Sequence, residues 1–426
     1  MRVAAATLGC KVNQYETEKL MGELLALGYA EAQPDGAADL CIVNTCAVTQ
    51  TGDKKSRQLI RRAREKNPDA AVVVLGCYTE TDPAGAGRVA DEIGGACLLL
   101  GTKDRNLFAQ KIFFAFPPSQ IGGSAALAAS KRVRAYVKIQ DGCDNYCSYC
   151  IVPYARGPSR SRPLDQITNE INLYARRGCG EIVLTAIHAA SYGKDTNGMR
   201  FNGLLAEVHE AAATAGVARV RLGSLDPCAV DGEFIRGLNN MPLLCSHFHL
   251  SLQSGCDRTL AAMNRRYDTA RYAETVRMLR AARPDAALTT DIIAGFPGET
   301  EADFEQSCNF FSGVGFMRAH VFEYSKKKGT AAAAMPDQVP GKIKTARAKI
   351  LRGLAEKSFE NFIGSRIGNV YSVLIESHQD GYAEGCTDNY IRARFKCTAP
   401  QTGRFAAVRL ERIAGGAVAA SLADSK

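Results

Sequence analysis

No run of about 18 apolar residues occurs in the chain, so no membrane-spanning helix and no membrane partner are expected. Its start, Met-Arg-Val-Ala-Ala-Ala-Thr-Leu-Gly-Cys, has too short an apolar stretch for a signal peptide and reads as a first strand. The even, dense cysteine set of a small secreted disulfide scaffold is also missing. The 15 cysteines are odd in number and spread over 426 residues, which fits reduced thiols, several of them metal ligands, in the cytoplasm. A chain of this length has room for roughly two to four domains, and for a full core in at least one.

Charge is not scarce, and it is uneven. The net charge is +9. Lys54, Lys55, Arg57, Arg61, Arg62, Arg64 and Lys66 crowd one segment, Arg156, Arg160 and Arg162 another, and Lys342, Lys344, Arg347, Lys349 and Arg352 a third. Each run taken singly reads as a solvated helix face. Together they suit a polyanion, because each neutralised phosphate releases counterions.

Cys143, Cys147 and Cys150 stand at the spacing C-x3-C-x2-C in Asp-Gly-Cys-Asp-Asn-Tyr-Cys-Ser-Tyr-Cys. Structural zinc wants four ligands, and no fourth Cys or His lies close by in the sequence. A [4Fe–4S] cubane is held by thiolates, and three of them leave one iron open to chelate a substrate or cofactor. With Tyr149 just before the third cysteine, the stretch resembles the radical S-adenosylmethionine (SAM) superfamily. That resemblance implies that SAM chelates the open iron and is cleaved to methionine and a 5′-deoxyadenosyl radical.

Residues 1–116 alternate apolar runs of strand length (2–8, 40–44, 71–75 and 96–100) with helix-like stretches. This predicts a Rossmann-like α/β domain with a parallel sheet. Cys10, Cys46 and Cys77 follow its first three strands. Loops at the carboxyl ends of such strands share a crevice, so these thiols are expected to converge as a second cluster site. Cys41 and Cys97, inside strands, read as small hydrophobes. Pro-, Gly- and Ser-rich residues 117–130 read as a linker.

From residue 131 to 362, six strands at 135–140, 181–187, 219–225, 247–253, 288–295 and 319–324 alternate with helices such as 164–177 and 269–282. They predict a partial (β/α)6 barrel whose site gathers at strand carboxyl ends, where the Cys143 loop lies. His188, after the second strand, is a candidate facing substrate, although most single histidines are merely hydrogen-bonded. Gln253 ends the fourth strand, and Ile293 and Gly295 the fifth; in this context they look like the superfamily's SAM contacts. Short strands at 369–376, 390–395 and 406–412 predict a small C-terminal β-barrel over 363–426. There Tyr390 with Arg392, and Arg394 with Phe395, fit RNA binding.

The cysteine sets together, with Gly-Cys-Lys-Val-Asn-Gln-Tyr-Glu-Thr at 9–17, Asn-Thr-Cys-Ala-Val-Thr at 44–49 and Gly-Asp-Lys-Lys-Ser-Arg at 52–57, resemble the methylthiotransferases over essentially the whole chain. The Cys10-Lys-Val-Asn13 wording resembles the branch acting on threonylcarbamoyladenosine in tRNA. Sibling branches act on isopentenyladenosine in tRNA or on a ribosomal-protein aspartate. A non-catalytic iron–sulfur RNA-binding protein is the reading from another class.

The resemblance implies two [4Fe–4S] clusters, on Cys10/Cys46/Cys77 and Cys143/Cys147/Cys150, with SAM and a C-terminal TRAM domain. Its implied partners are ANN-decoding tRNA and an electron donor such as flavodoxin or ferredoxin; no obligate protein partner is visible. Lys54, Lys55, Arg57, Lys327, Tyr390 and Arg392 are the expected RNA or substrate contacts. Lys327 stands where the family usually has Arg, and Lys does not reproduce an Arg fork. The TRAM segment is short.

Overall fold

Strands Leu40–Thr45 and Ala71–Gly76 are buried at every position, as central parallel strands covered on both faces must be. They anchor the N-terminal sheet of the computed structural model, which describes residues 1–33, 36–118, 133–399 and 401–423. The sheet is parallel throughout, in the spatial order Ala30–Glu31, Arg2–Thr7, Leu40–Thr45, Ala71–Gly76, Cys97–Leu100. This order, 2-1-3-4-5, is the flavodoxin-like form of the doubly wound fold. Leu20, Leu24, Phe108 and Ile112 pack on one face, and Ile60 and Val89 on the other. Ala30–Glu31 escapes sequence reading because two residues carry no periodicity. Of the expected linker, the residues beyond 118 lie outside the described residues.

The chain divides into two compact units. The first comprises Met1–Ser130, Asp141–Ser159 and Ser325–Ala334, so the Cys143–Cys150 loop belongs to the same unit as the N-terminal sheet. The second comprises Lys131–Gln140, Arg160–Tyr324 and Met335–Lys426.

In the second unit the six expected strands appear in two sheets, and they pair with one another in parallel. One orders Arg160–Ser161, Arg134–Asp141, Glu181–Ala186 and Arg219–Leu222; the other orders Ser224–Leu225, His247–Leu250, Ala287–Ala294 and Arg318–Glu323. The expected strand 219–225 is broken at Gly223, whose N–H donates to the Leu184 carbonyl at 2.9 Å. One strand thus serves both sheets, and the result is the open barrel read from the sequence.

The C-terminal segment closes into a five-stranded barrel. Tyr382–Thr387 and Ala417–Leu422 join the three strands expected there. Along Arg392–Lys396 exposed and buried residues alternate, as one wall of a small barrel requires. Ile363, from the long helix Gly341–Gly364, sits in its core. The barrel is fastened to the strand Arg219–Leu222: Arg219 donates to the carbonyls of Ser372 and Cys386, and Arg221 to those of Thr387 and Asp388. Among the described residues no helix is long and apolar enough to cross a membrane.

Candidate metal centre

Cys46 and Cys77 directly follow strands Leu40–Thr45 and Ala71–Gly76, and Cys10 follows Arg2–Thr7 by three residues. In a 2-1-3-4-5 sheet the ligand crevice opens between strands one and three, the strands that precede Cys10 and Cys46. The turns into the cysteines need glycine. Gly9 has φ +118°, and a Cβ on it would lie 3.0 Å from the Cys46 Cβ and 3.2 Å from its Sγ. Gly76 has φ +106°, and its Cβ would meet Asn44 Oδ1 at 2.5 Å and the Thr45 carbonyl at 2.6 Å. Both values are in the region that other L-residues rarely adopt.

Cys10 is exposed, Cys46 half-buried and Cys77 buried. Burial pushes the Cys46 thiol pKa up, and that of Cys77 up to about 11, with Arg156 opposing the latter shift. Cys10 and Cys46 both act electrostatically on Cys77, so the three form one electrostatic site. Among the described residues no three His, Cys, Asp or Glu side chains gather closely enough to hold a single metal ion. A cubane takes its thiolates on separate irons, so a three-thiol set spread over a crevice suits it better than it suits zinc. The donor set fits the group.

Behind this set lies a polar lock that sequence reading missed. Asn13, 1% exposed, donates to the carbonyls of Leu8 and Thr45, joining the ends of two strands. Its Oδ1 accepts from Arg156 at 2.6 Å. Arg156, 3% exposed, forks onto both Glu16 carboxylate oxygens at 3.0 Å and reaches Asp141 Oδ1 at 3.0 Å. Asp141 is also ion-paired with Arg105. Arg156 was grouped above with cations for a polyanion; its burial withdraws it from that role. The readable signal was Asn13, one helical turn after Cys10 on the buried face of the helix Lys11–Ala26.

Arg156 ends the short helix Val152–Arg156 that follows the second cysteine set. The loop before it is pinned at both ends, by Cys143 N–H on the Gly157 carbonyl at 3.1 Å and Cys150 N–H on the Cys147 carbonyl at 2.9 Å. Cys147 is buried, while Cys143, Tyr149 and Cys150 are half-buried. In the same unit Lys327 is buried and ion-paired with Asp53. Burial pushes the Asp53 carboxyl pKa up, and Lys327 partly offsets this. Lys327, an expected substrate contact, is here paired with an internal carboxylate. Lys54 and Lys55 are exposed, whereas Arg57 is half-buried with its guanidinium 5.8 Å from the Tyr78 ring centre.

In the second unit Gln253, at φ +66°, accepts from the Ile293 N–H at 2.9 Å. These two expected cofactor residues do meet. The Gly295 N–H donates to Glu299 Oε1 at 3.0 Å, and Glu299 is held by buried Arg347 at 2.7 Å. The space that a Gly295 side chain would take is filled by the Lys344 stem, so this glycine admits a helix rather than an open approach to ligand. His188 hydrogen-bonds Ser191 and lies 3.9 Å from Asp226. Burial lowers its pKa to about 4, so it is neutral near pH 7.

Tyr390 is also otherwise engaged. It stacks on His247 with centres 4.6 Å apart, beneath the guanidinium groups of Arg221 and Arg134, and Phe395 is core. Neither is open to stack on a base. Arg392 is exposed and paired with Glu384; the exposed aromatic–cation pair is Tyr382 with Arg394, at 4.7 Å.

Residues 137–311 match the Radical SAM superfamily, and residues 2–95 match the family described as Uncharacterized protein family UPF0004. A Bacillus subtilis (strain 168) protein named threonylcarbamoyladenosine tRNA methylthiotransferase MtaB is 36% identical, over 96% of this chain and 93% of its own length. The chain belongs to the tRNA methylthiotransferase family. This methylthiotransferase is likewise 34% identical to the Thermotoga maritima protein of the same name, over 99% of this chain and 97% of that one. A Caldicellulosiruptor saccharolyticus tRNA-2-methylthio-N(6)-dimethylallyladenosine synthase is 36% identical, over 95% and 88%.

Among solved structures, the radical SAM methyltransferase TsrM from Kitasatospora setae aligns with a TM-score of 0.55 at 14% identity, over 75% of this chain and 72% of that one. The cobalamin-dependent radical SAM enzyme OxsB aligns at 0.51 with 10% identity, over 84% and 56%. At such identities the likeness concerns fold alone. SAM and [4Fe–4S] chemistry come with the methylthiotransferase family.

Proposed function

We propose that this enzyme methylthiolates C2 of N6-threonylcarbamoyladenosine at position 37 of ANN-decoding tRNAs, in the cytoplasm, fed by an electron donor such as flavodoxin or ferredoxin. The carrying observation is the nearly end-to-end match to relatives named for threonylcarbamoyladenosine. The adenine C2–H is inert to ordinary nucleophiles, so the reactivity has to come from a cofactor. When bound, the group on Cys143, Cys147 and Cys150 supplies the electron that cleaves SAM, and the group on Cys10, Cys46 and Cys77 supplies the sulfur.

The chain's own residues hold and orient. The two glycine turns aim Cys10 and Cys77, Asn13 ties together the strand ends that precede Cys10 and Cys46, and Arg156 places a fixed cation beside the thiolates. Exposed Lys54 and Lys55 offer charge to the RNA backbone. The target base, in a single-stranded loop, can be splayed out into a pocket. The dimethylallyladenosine synthase at 36% identity makes the isopentenyl substrate the second reading. Nucleoside mass spectrometry of tRNA from a strain lacking the gene separates the two. Loss of the methylthio form of threonylcarbamoyladenosine supports the first; loss of only the isopentenyl product supports the second.

A further inference from the structure

Segment Ser325–Ala334 of the first unit is tied to both cysteine-bearing regions. Gln50, which opens the helix after Cys46, donates twice: its N–H to Ser325 Oγ at 2.9 Å and its Nε2 to the Lys326 carbonyl at 2.8 Å. Lys327 pairs with Asp53 in the first turn of that helix. At the far end the Ala332 N–H donates to the carbonyl of Ser148, between Cys147 and Cys150, at 2.7 Å.

A groove of about 700 Å³ runs along this segment, lined by Gln50, Tyr154, Lys326, Lys328 and Thr330 with alanines of Ala331–Ala334. Its chemistry is specific. Tyr154 is 55% exposed, held edge-on by Tyr146 with ring centres 5.8 Å apart. Such a large ring left in water beside a cofactor-binding loop is a ready stacking surface for a base. Lys326 and Lys328 are exposed on either side of the buried Lys327, and among the described residues no carboxylate pairs with either.

We propose that this groove receives the target nucleoside, with Tyr154 stacked on its adenine and Lys326 and Lys328 holding the carboxylate of the N6-threonylcarbamoyl group. The inference rests on the substrate reading above and adds to it the residues that select the substrate. A threonylcarbamoyl group carries a free carboxylate and a dimethylallyl group carries no charge, so two point charges at the rim discriminate between them. Lysine suits a carboxylate approached from varied directions, where no fixed fork is needed. An RNA phosphate would offer the same anionic oxygens, and the choice of RNAs distinguishes the two sources.

The test measures binding of anticodon stem-loops by fluorescence anisotropy, with residue 37 as threonylcarbamoyladenosine, isopentenyladenosine or plain adenosine. The reconstituted wild-type enzyme is compared with K326A/K328A, K326R/K328R, Y154A and Y154F, each checked by circular dichroism and iron content. The lysine-to-alanine pair should lose on the order of ten-fold affinity for the threonylcarbamoyl RNA alone, the size of one charged hydrogen bond. The arginine pair should restore it. Y154A should weaken all three RNAs, and Y154F should not.

Equal losses on all three RNAs from K326A/K328A would mean a backbone phosphate contact and overturn the carboxylate site; no loss would overturn the groove. A wild-type enzyme that does not favour the threonylcarbamoyl RNA would instead show that the substrate reading itself had failed.

Discussion

Replacing Arg156 with methionine removes one cation from among Glu16, Asp141 and Asn13 while nearly preserving the volume of its stem. Four hydrogen bonds of 2.6–3.0 Å vanish. Glu16 is left without its fork, at 13% side-chain exposure, whereas Asp141 keeps Arg105. Breaking a buried pair by removing one partner costs about 3–5 kcal/mol, because the other charge stays behind uncompensated. The retained Arg105 contact places this case near the lower end, about 3 kcal/mol.

At roughly 2–4 °C per kcal/mol, R156M should melt roughly 6–12 °C below wild type by circular dichroism under anaerobic conditions. Adding E16Q should restore a large part of the loss, since the stranded charge goes too. R156K keeps the charge but not the fork and should fall between. A melting point for R156M within about 2 °C of wild type would refute the claim that this cation holds the cysteine-bearing loops together.

Anaerobically reconstituted protein should hold about eight irons, and the C10A/C46A/C77A variant about four; a triple variant still holding about eight would remove the first site. His188 is held neutral by burial, with its pKa lowered to about 4 from 6.5. Its contribution is intact above the unfolded value and is lost as pH falls from 6.5 toward 4. By about pH 5, wild type should therefore have lost about 2 kcal/mol more than H188Q in urea unfolding, and parallel pH curves would contradict this. Y390A should lose about 3 kcal/mol through its missing stack and ring contacts, with Y390F near neutral. If Y390A instead kept its stability and lost RNA affinity, Tyr390 would be an RNA contact after all.

Strand–helix alternation was legible because central parallel strands such as 71–76 are unbroken apolar runs, and cysteines at their ends follow directly. The two-residue strand Ala30–Glu31 and the break at Gly223 were not legible, since both depend on neighbours rather than on periodicity. Charges misled most. Arg156 and Arg347 sit in runs that read as solvated cations, and Lys327 reads as a substrate contact, yet Glu16, Glu299 and Asp53, which pair with them, lie 140, 48 and 274 residues away, beyond any local pattern. Tyr390 beside Arg392 has the composition of an RNA contact. Its ring is instead taken by His247, more than a hundred residues earlier, which only the docking of the barrel reveals. Asn13 could have been found, because a polar residue one helical turn after Cys10 breaks the apolar face on which it lies.

The substrate is the central claim, and the most direct measurement offers reconstituted enzyme, SAM and reductant to stem-loops bearing threonylcarbamoyladenosine or isopentenyladenosine, with nucleosides read by mass spectrometry. The account expects the methylthio group on the threonylcarbamoyl nucleoside and the isopentenyl nucleoside returned unchanged. Methylthiolation of the isopentenyl nucleoside alone, from the same active preparation, would contradict it.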